Sequence, residues 1–312
     1  MTVLGWVVAL AAAADGVASA GDAAVGPVTP AAPAVVPDWA VLPGQCPPDD
    51  PDYDLELMYH QGRFKDGLAA CDARLKAAPT SDLYWLKARF MYEIGETFQR
   101  TDTSIDKVAW YQSMLDAAEA GLKLAPDDPH LHFARGVAMG RLGTTRGVLS
   151  SLFMAKDVES DWLLVANHPT WTYASLGGNE VLPCDAFHAL GIYYRLVPDW
   201  WIIQMIAGTR GDLDQSEAWN LRSTQCKPDE VENWKELGAT RLCMGQKRND
   251  PARVAEGVKS LNHGLTVTAV TPRQKLDRSH IQMLIADPSL ACEYSRDGQQ
   301  DLDEKKLDAK AE

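Results

Sequence analysis

Histidine, cysteine and paired carboxylates are the residues that could carry chemistry, and their spacing in this chain is sparse. A metal site needs several His, Cys, Asp or Glu at ligand spacing. His130 and His132 form the one close histidine pair. On a helix, residues two apart point about 200° away from each other, so these rings diverge and His132 is expected to pack. His188 sits within an apolar helical stretch, where a packed or capped ring is the default. An enzymatic alternative would centre a base on His188 or His168, but no second catalytic group stands at a suitable spacing. No G-x-S-x-G, phosphate-cradling glycine loop or H-E-x-x-H occurs. Gly177-Gly178 opens no helix. Asp127-Asp128 follow a proline and are placed to begin a helix, where negative charge suits the N-terminal dipole. The expectation is a protein without catalytic residues, metal or cofactor.

Six cysteines, Cys46, Cys71, Cys184, Cys226, Cys243 and Cys292, permit up to three disulfides in an exported chain, with fifteen connectivities. Buried free thiols are the other reading. No C-x-x-C is present, so neither a thioredoxin-like site nor a zinc ribbon is supported.

Aromatic residues are the more informative set. Of ten tryptophans, Trp162, Trp171, Trp200, Trp201, Trp219 and Trp234 fall in one stretch, joined by Tyr173, Tyr193 and Tyr194. Two readings stand: a large core, or an aromatic-lined groove for an apolar ligand or a partner segment. For the second, the candidate binding residues are Trp171, Tyr173, His188, Tyr194, Trp200 and Trp201. Adjacent Trp200 and Trp201 cannot share one side of a helix.

The elements that must position these residues are helical. Leu83, Leu86, Phe90 and Ile94 share one face of a helix; so do Leu131, Ala134, Ala138 and Leu142, and Val254, Val258, Leu261 and Leu265. The helices are punctuated alike. Ala73-Arg-Leu-Lys-Ala-Ala-Pro79 matches Ala120-Gly-Leu-Lys-Leu-Ala-Pro126, each ending a helix on a proline. Second helices are expected to close near Gly95, Gly143 and Gly245. Six residues after three of the breaker prolines stand Trp85, His132 and Trp234, a ring each time. The breakers Pro79, Pro126, Pro169, Pro228 and Pro272 lie 43 to 47 residues apart, with one gap of 59. Thr170–Pro183 accounts for that gap as an inserted loop, expected to cover the concave face near the aromatic rings. A period near 45 with two helices per unit predicts an all-α solenoid of about five tetratricopeptide-like hairpins over 52–294.

The flanks differ in kind. Val3–Ala14 is apolar and leads to Ala18-Ser19-Ala20, a small-x-small cleavage pattern, so residues 1–20 read as a secretory signal peptide and the chain as periplasmic or secreted. Residues 21–51 carry eight prolines and read as an extended tether; residues 295–312 read as a charged tail. After residue 20 no apolar run reaches membrane-spanning length. Lys and Arg number 30 against 43 Asp and Glu, a net charge of −13, which repels phosphate backbones and argues against nucleic-acid partners.

Segments of the body resemble a known family: the tetratricopeptide-like T-component of periplasmic TRAP transporters, with related proteins of the microtubule-dynamics-regulator type. The residues are His188-Ala-Leu-Gly-Ile-Tyr-Tyr-Arg195, Trp200-Trp201, Ile206-Ala-Gly208, the Ser216-Glu217-Ala218 helix leading to Lys227-Pro228, and the small-residue helix Gly136-Val-Ala-Met-Gly-Arg-Leu-Gly143. The resemblance implies a helical array enclosing a pore-like apolar cavity and a periplasmic solute-binding protein as partner. Members are often lipid-anchored, and no cysteine lies near the expected cleavage point here. A general envelope assembly scaffold without a ligand cavity is the alternative.

One geometric expectation concerns the cysteines. Cys226 ends one helix and Cys243 lies toward the far end of the next, about 18 Å away along an antiparallel hairpin at 1.5 Å per residue. A disulfide needs Cα atoms within about 7 Å. Peptide mapping of the unreduced protein should therefore find no Cys226–Cys243 link; finding one would overturn the helix assignment.

Overall fold

The computed structural model describes residues 46, 48–98, 104–147 and 149–294. The expected signal peptide, the tether up to residue 45 and the charged tail lie outside the described residues.

Twelve α-helices are described, and ten of them form five antiparallel hairpins in chain order. These are α2 (Phe64–Ala77) with α3 (Ser81–Gly95), α4 (Lys107–Leu122) with α5 (Pro129–Arg146), α6 (Ala155–Ala166) with α7 (Cys184–Leu196), α9 (Leu213–Cys226) with α10 (Val231–Arg248), and α11 (Pro251–Thr266) with α12 (Pro272–Ala286). Two short helices stand apart: α1 (Tyr53–His60) before the first hairpin and α8 (Trp201–Ala207) after the third. The chain is an all-α solenoid of tetratricopeptide-like hairpins.

Four of the five breaker prolines fall between the two helices of a hairpin and the fifth opens a second helix, and local chemistry explains why. Pro79 and Pro126 lie in the links, followed by N-caps: Thr80 Oγ1 accepts the Leu83 N–H at 3.2 Å, and Asp128 accepts the His130 N–H at 2.9 Å. Such caps satisfy backbone donors that the first helical turn leaves unpaired. Pro272 instead opens α12, behind a capping box of Thr271 and Gln274. There its missing N–H costs nothing.

The ring six residues after the proline has a structural task in two repeats. Trp234 Nε1–H donates to the Pro228 carbonyl at 2.8 Å, and His132 Nε2 bonds the Pro126 carbonyl at 2.8 Å. Each ring ties the second helix to the turn that starts it. Two of the expected helix ends move, however. Gly143 and Gly245 lie inside α5 and α10, which close at Gly147 and Asn249. Gly245 serves close packing instead: a Cβ there would fall 2.5 Å from Val254 Cγ2 of α11.

Apolar stripes build three cores. Leu55, Trp85, Leu86 and Phe90 belong to one under the first hairpin, and a large central core runs from Met91 through Trp162 to Tyr194. A third gathers Val231, Leu242, Leu261, Ile281 and Tyr294 in the last two hairpins. Between α6 and α7, the insertion forms a small antiparallel pair, β1 (Tyr173–Ala174) with β2 (Val181–Leu182).

Cys184 and Cys226 are joined, tying the start of α7 to the end of α9, and Cys243 joins Cys292 of a C-terminal 3-10 turn (Pro288–Cys292). Cys226 and Cys243 thus have different partners, as the helix geometry requires. Cys71 is a free thiol inside the first core, where burial pushes it up to about 12.

A buried ion network braces the C-terminal end. Lys235, fully buried, holds Asp277 at 2.6 Å and Glu236 at 3.2 Å. Glu236 is shared with Arg195 at 2.5 Å, and Arg195 donates to the Ala291 and Tyr294 carbonyls. A buried charge stripped of its partner is costly, whereas replacing the whole pair by apolar groups is often neutral. Lys235→Met should therefore destabilise the fold by about 3–5 kcal/mol, and Lys235→Met with Asp277→Leu should recover most of that loss. Urea unfolding monitored by circular dichroism measures both; equal stability of the single and double variants would contradict the assignment.

Candidate binding cavity

The hairpin array curves until its two ends meet. Arg273, in the first turn of α12, pairs with Glu232 of α10 at 2.9 Å and reaches Glu96, just past α3, at 4.0 Å. Its guanidinium lies 5.7 Å from the Tyr92 ring centre. Glu96 also pairs with Arg141 of α5. First, second and last hairpins are thereby tied across the concave side, and a cavity of about 1360 Å³ lies inside.

Its lining mixes apolar and charged side chains from all parts of the array. The middle hairpins contribute Phe133, Val137, Val158, Trp162 and Ile192; the outer hairpins and α10 contribute Glu93, Glu96, Glu232 and Arg273. Two glycines on α5 shape the apolar side. A Cβ on Gly136 would fall 2.4 Å from Trp162 Nε1, so α5 admits the indole there only because that position lacks a side chain; one on Gly140 would lie 3.3 Å from Cη2, tight but within a few tenths of an ångström of ordinary contact.

The insertion closes one side. His60 of α1 bonds the Leu176 carbonyl at 3.1 Å. Gly177 adopts φ +82°, and a Cβ on it would meet the His60 ring at 2.7 Å; both facts require glycine there. Glu180 pairs with Arg89 of α3 at 2.6 Å, and Lys227, just after α9, donates to the Asn179 carbonyl at 2.9 Å. The loop thus runs from the first hairpin to the fourth, and its Asn179 and Glu180 face the cavity.

Arg89 anchors that side. Its guanidinium lies 3.5 Å from the Tyr59 ring centre and 4.6 Å from that of Trp85, and it pairs with Glu56 at 2.5 Å as well as with Glu180. Burial opposes its charge, but Glu180 and the surrounding phenols and Glu56 outweigh it and hold the guanidinium protonated. Burial pushes the Glu180 carboxyl up to about 7, against the pull of Arg89. His130, packed edge-on to Trp85, Trp171 and Tyr173, is lowered chiefly by burial.

Of the residues expected to bind, His188 lines the cavity, with Nε2 3.5 Å from Glu232. Trp171 and Tyr173 pack against His130, a lining residue, and Tyr173 donates to Glu56 at 2.7 Å. Tyr194 is buried in the central core and donates to Glu159 at 2.7 Å. Trp200 and Trp201 are exposed and are not part of the lining. Of the six, His188 alone is part of the lining; Trp171 and Tyr173 lie behind it against His130, and the other three lie elsewhere. His168 accepts the Trp171 N–H at 2.8 Å, which makes it a turn cap of the loop. His132 pairs with Asp161 at 2.7 Å, away from His130. Sequence reasoning passed over Trp85, Arg89, Tyr92 and Arg273 as cavity residues. Their only signal was helical spacing, which also marks ordinary core and surface positions.

Among the described residues no three His, Cys, Asp or Glu are grouped to hold a metal ion. No described helix is long and apolar enough to cross a membrane.

Neither a family model nor a curated protein matches the chain. Among solved structures, a thermophilic TPR protein of Thermus thermophilus aligns over 74% of this chain and 97% of its own, with a TM-score of 0.44 at 14% identity.

The raised Glu180 carboxyl has a consequence for stability. Between about pH 4.5, where the unfolded chain titrates, and about pH 7, the folded protein holds a proton that the unfolded chain has lost. This group's contribution is complete below that window and is lost as pH rises through it. Glu180→Gln should leave stability unchanged near pH 4 and raise it by up to roughly 3 kcal/mol at pH 8. Urea titrations across that range would show the two curves diverging upward; parallel curves would refute the shift.

Proposed function

We propose that the chain is a non-enzymatic, exported helical-repeat binding protein of the TRAP T-component kind. It takes an apolar small ligand into the central cavity and docks a periplasmic solute-binding protein. The observation that carries this reading is the cavity itself: about 1360 Å³, with aromatic and aliphatic side chains interspersed with paired charges, larger than most small-molecule sites. Buried polar atoms on the lining, Arg89 Nη2, His130 Nε2, Trp162 Nε1 and His188 Nδ1, have no hydrogen-bond partner among the described residues. A few such groups in an apolar pocket fix a ligand's orientation. Two paired cysteine bridges support an oxidising compartment, in line with the leader read from the sequence.

Ala189 lines the cavity and is only partly buried, so a larger side chain there occupies the cavity instead of a packed core. Ala189→Trp should weaken binding of an apolar fluorophore, 1-anilinonaphthalene-8-sulfonate, at least tenfold while leaving the melting temperature within a few degrees. Native mass spectrometry of the protein purified from its own envelope should show a bound apolar molecule in the wild type that the variant lacks. Undiminished fluorophore binding with no co-purifying molecule would favour a scaffold without a ligand.

A further inference from the structure

Helix α8 leaves an apolar face uncovered. Ile203 and Ala207 turn inward and are buried, and the helix rests on the 3-10 turn Leu149–Met154. Four of its other residues point out: Trp201 is 68% exposed, Ile202 45%, Met205 71% and Ile206 71%, flanked by Trp200 at 57% and by Phe153 of the supporting turn at 72%. The pairs Trp201/Met205 and Ile202/Ile206 are each four residues apart, so they form two adjoining ridges. Gly208, in the left-handed conformation at φ +70°, ends the helix.

The size and charge of this face say what covers it. These six side chains expose roughly 800 Å², more than the largest apolar patch of a typical monomer. One partner of a stable complex buries about 800 Å². From Trp200 to Thr209 there is no Asp, Glu, Lys or Arg in a chain of net charge −13. Most of such a surface repels its own copy, and this stretch is one that does not. A face without charge also offers nothing to select a charged partner, while a twofold contact needs only that the same patch complement itself.

We propose that α8 is the interface of a symmetric homodimer, in which Trp201, Ile202, Met205 and Ile206 pack against the same residues of a second copy. Met205, 71% exposed and central on that face, then lies close to the twofold axis and opposite its own counterpart. The interface is separate from the cavity, so it stands or falls independently of ligand binding.

Sedimentation equilibrium of the purified protein from 1 to 100 µM tests this. The wild type should pass from monomer to twice the monomer mass in that range. Trp201→Glu with Ile206→Glu, both at exposed positions, should stay monomeric at every concentration with an unchanged far-ultraviolet circular dichroism spectrum. Met205→Cys in a Cys46→Ser background should form an inter-copy disulfide on mild oxidation. A wild type that stays monomeric at 100 µM and gives no crosslink overturns the proposal, as does a dimer that survives the double glutamate change. A monomer that floats with phosphatidylcholine vesicles, and loses that property in the glutamate variant, overturns it in favour of a lipid surface.

Discussion

Everything in this fold follows from one constraint: a helix with an apolar stripe must have it covered, and one neighbour does not suffice. Trp85, Leu86 and Phe90 on α3 are buried by α1 and α2, while Met91 on the same helix belongs to the central core shared with α4 and α5. Each inner helix therefore demands material on two sides, and the chain supplies it by adding the next hairpin. Stability in such an array is a sum of unit and interface terms. The curvature that accumulates from unit to unit is a by-product of that stacking, and here it brings α12 back to the end of α3. The cavity is what remains on the inside of the turn.

How the inside is closed is a matter of charge. Arg273, Glu232, Glu96 and Arg141 join elements far apart in sequence, and Arg89 with Glu180 and Glu56 does the same at the loop. Paired in this way, the ions avoid the penalty of isolated buried charge. Apolar and aromatic side chains from the first three hairpins fill the wall between these ionic seams.

Part of this was legible in the sequence. The breaker prolines, the caps that follow them and the stripes of Leu83–Ile94 and Leu131–Leu142 are local signals, and they placed the hairpins. Gly143 and Gly245 misled as helix ends because a glycine serves close packing as readily as termination; only the contact with Val254 distinguishes the two at Gly245. A cavity was expected only through the family resemblance, and its lining was not legible, since it depends on how much each unit rotates against the last, and no single helix encodes that angle. Of the candidate binding residues, His188 reaches the lining, while Trp171 and Tyr173 of the insertion pack one layer out, against His130. Arg89 and Arg273 gave no signal, because an arginine at helical spacing reads as solvent-facing until the structure places it beneath a loop or across a seam. Tyr194 and Trp201 show the same ambiguity from the other side: aromatic richness does not say whether a ring goes to a core, a pocket or a surface.

The two bare positions on α5 carry a consequence of their own. Gly136 and Gly140 let the Trp162 indole lie close against the helix backbone, and Trp162 is part of the wall. The stacking of hairpins sets the outline of the cavity, and the bare α5 surface sets how close one wall residue comes to its neighbour. A methyl at Gly136 would force the indole to shift, whereas one at Gly140 would ask it to give only a few tenths of an ångström. One patch of the wall is therefore written in what a neighbouring helix omits, a dependence that no side-chain contact records.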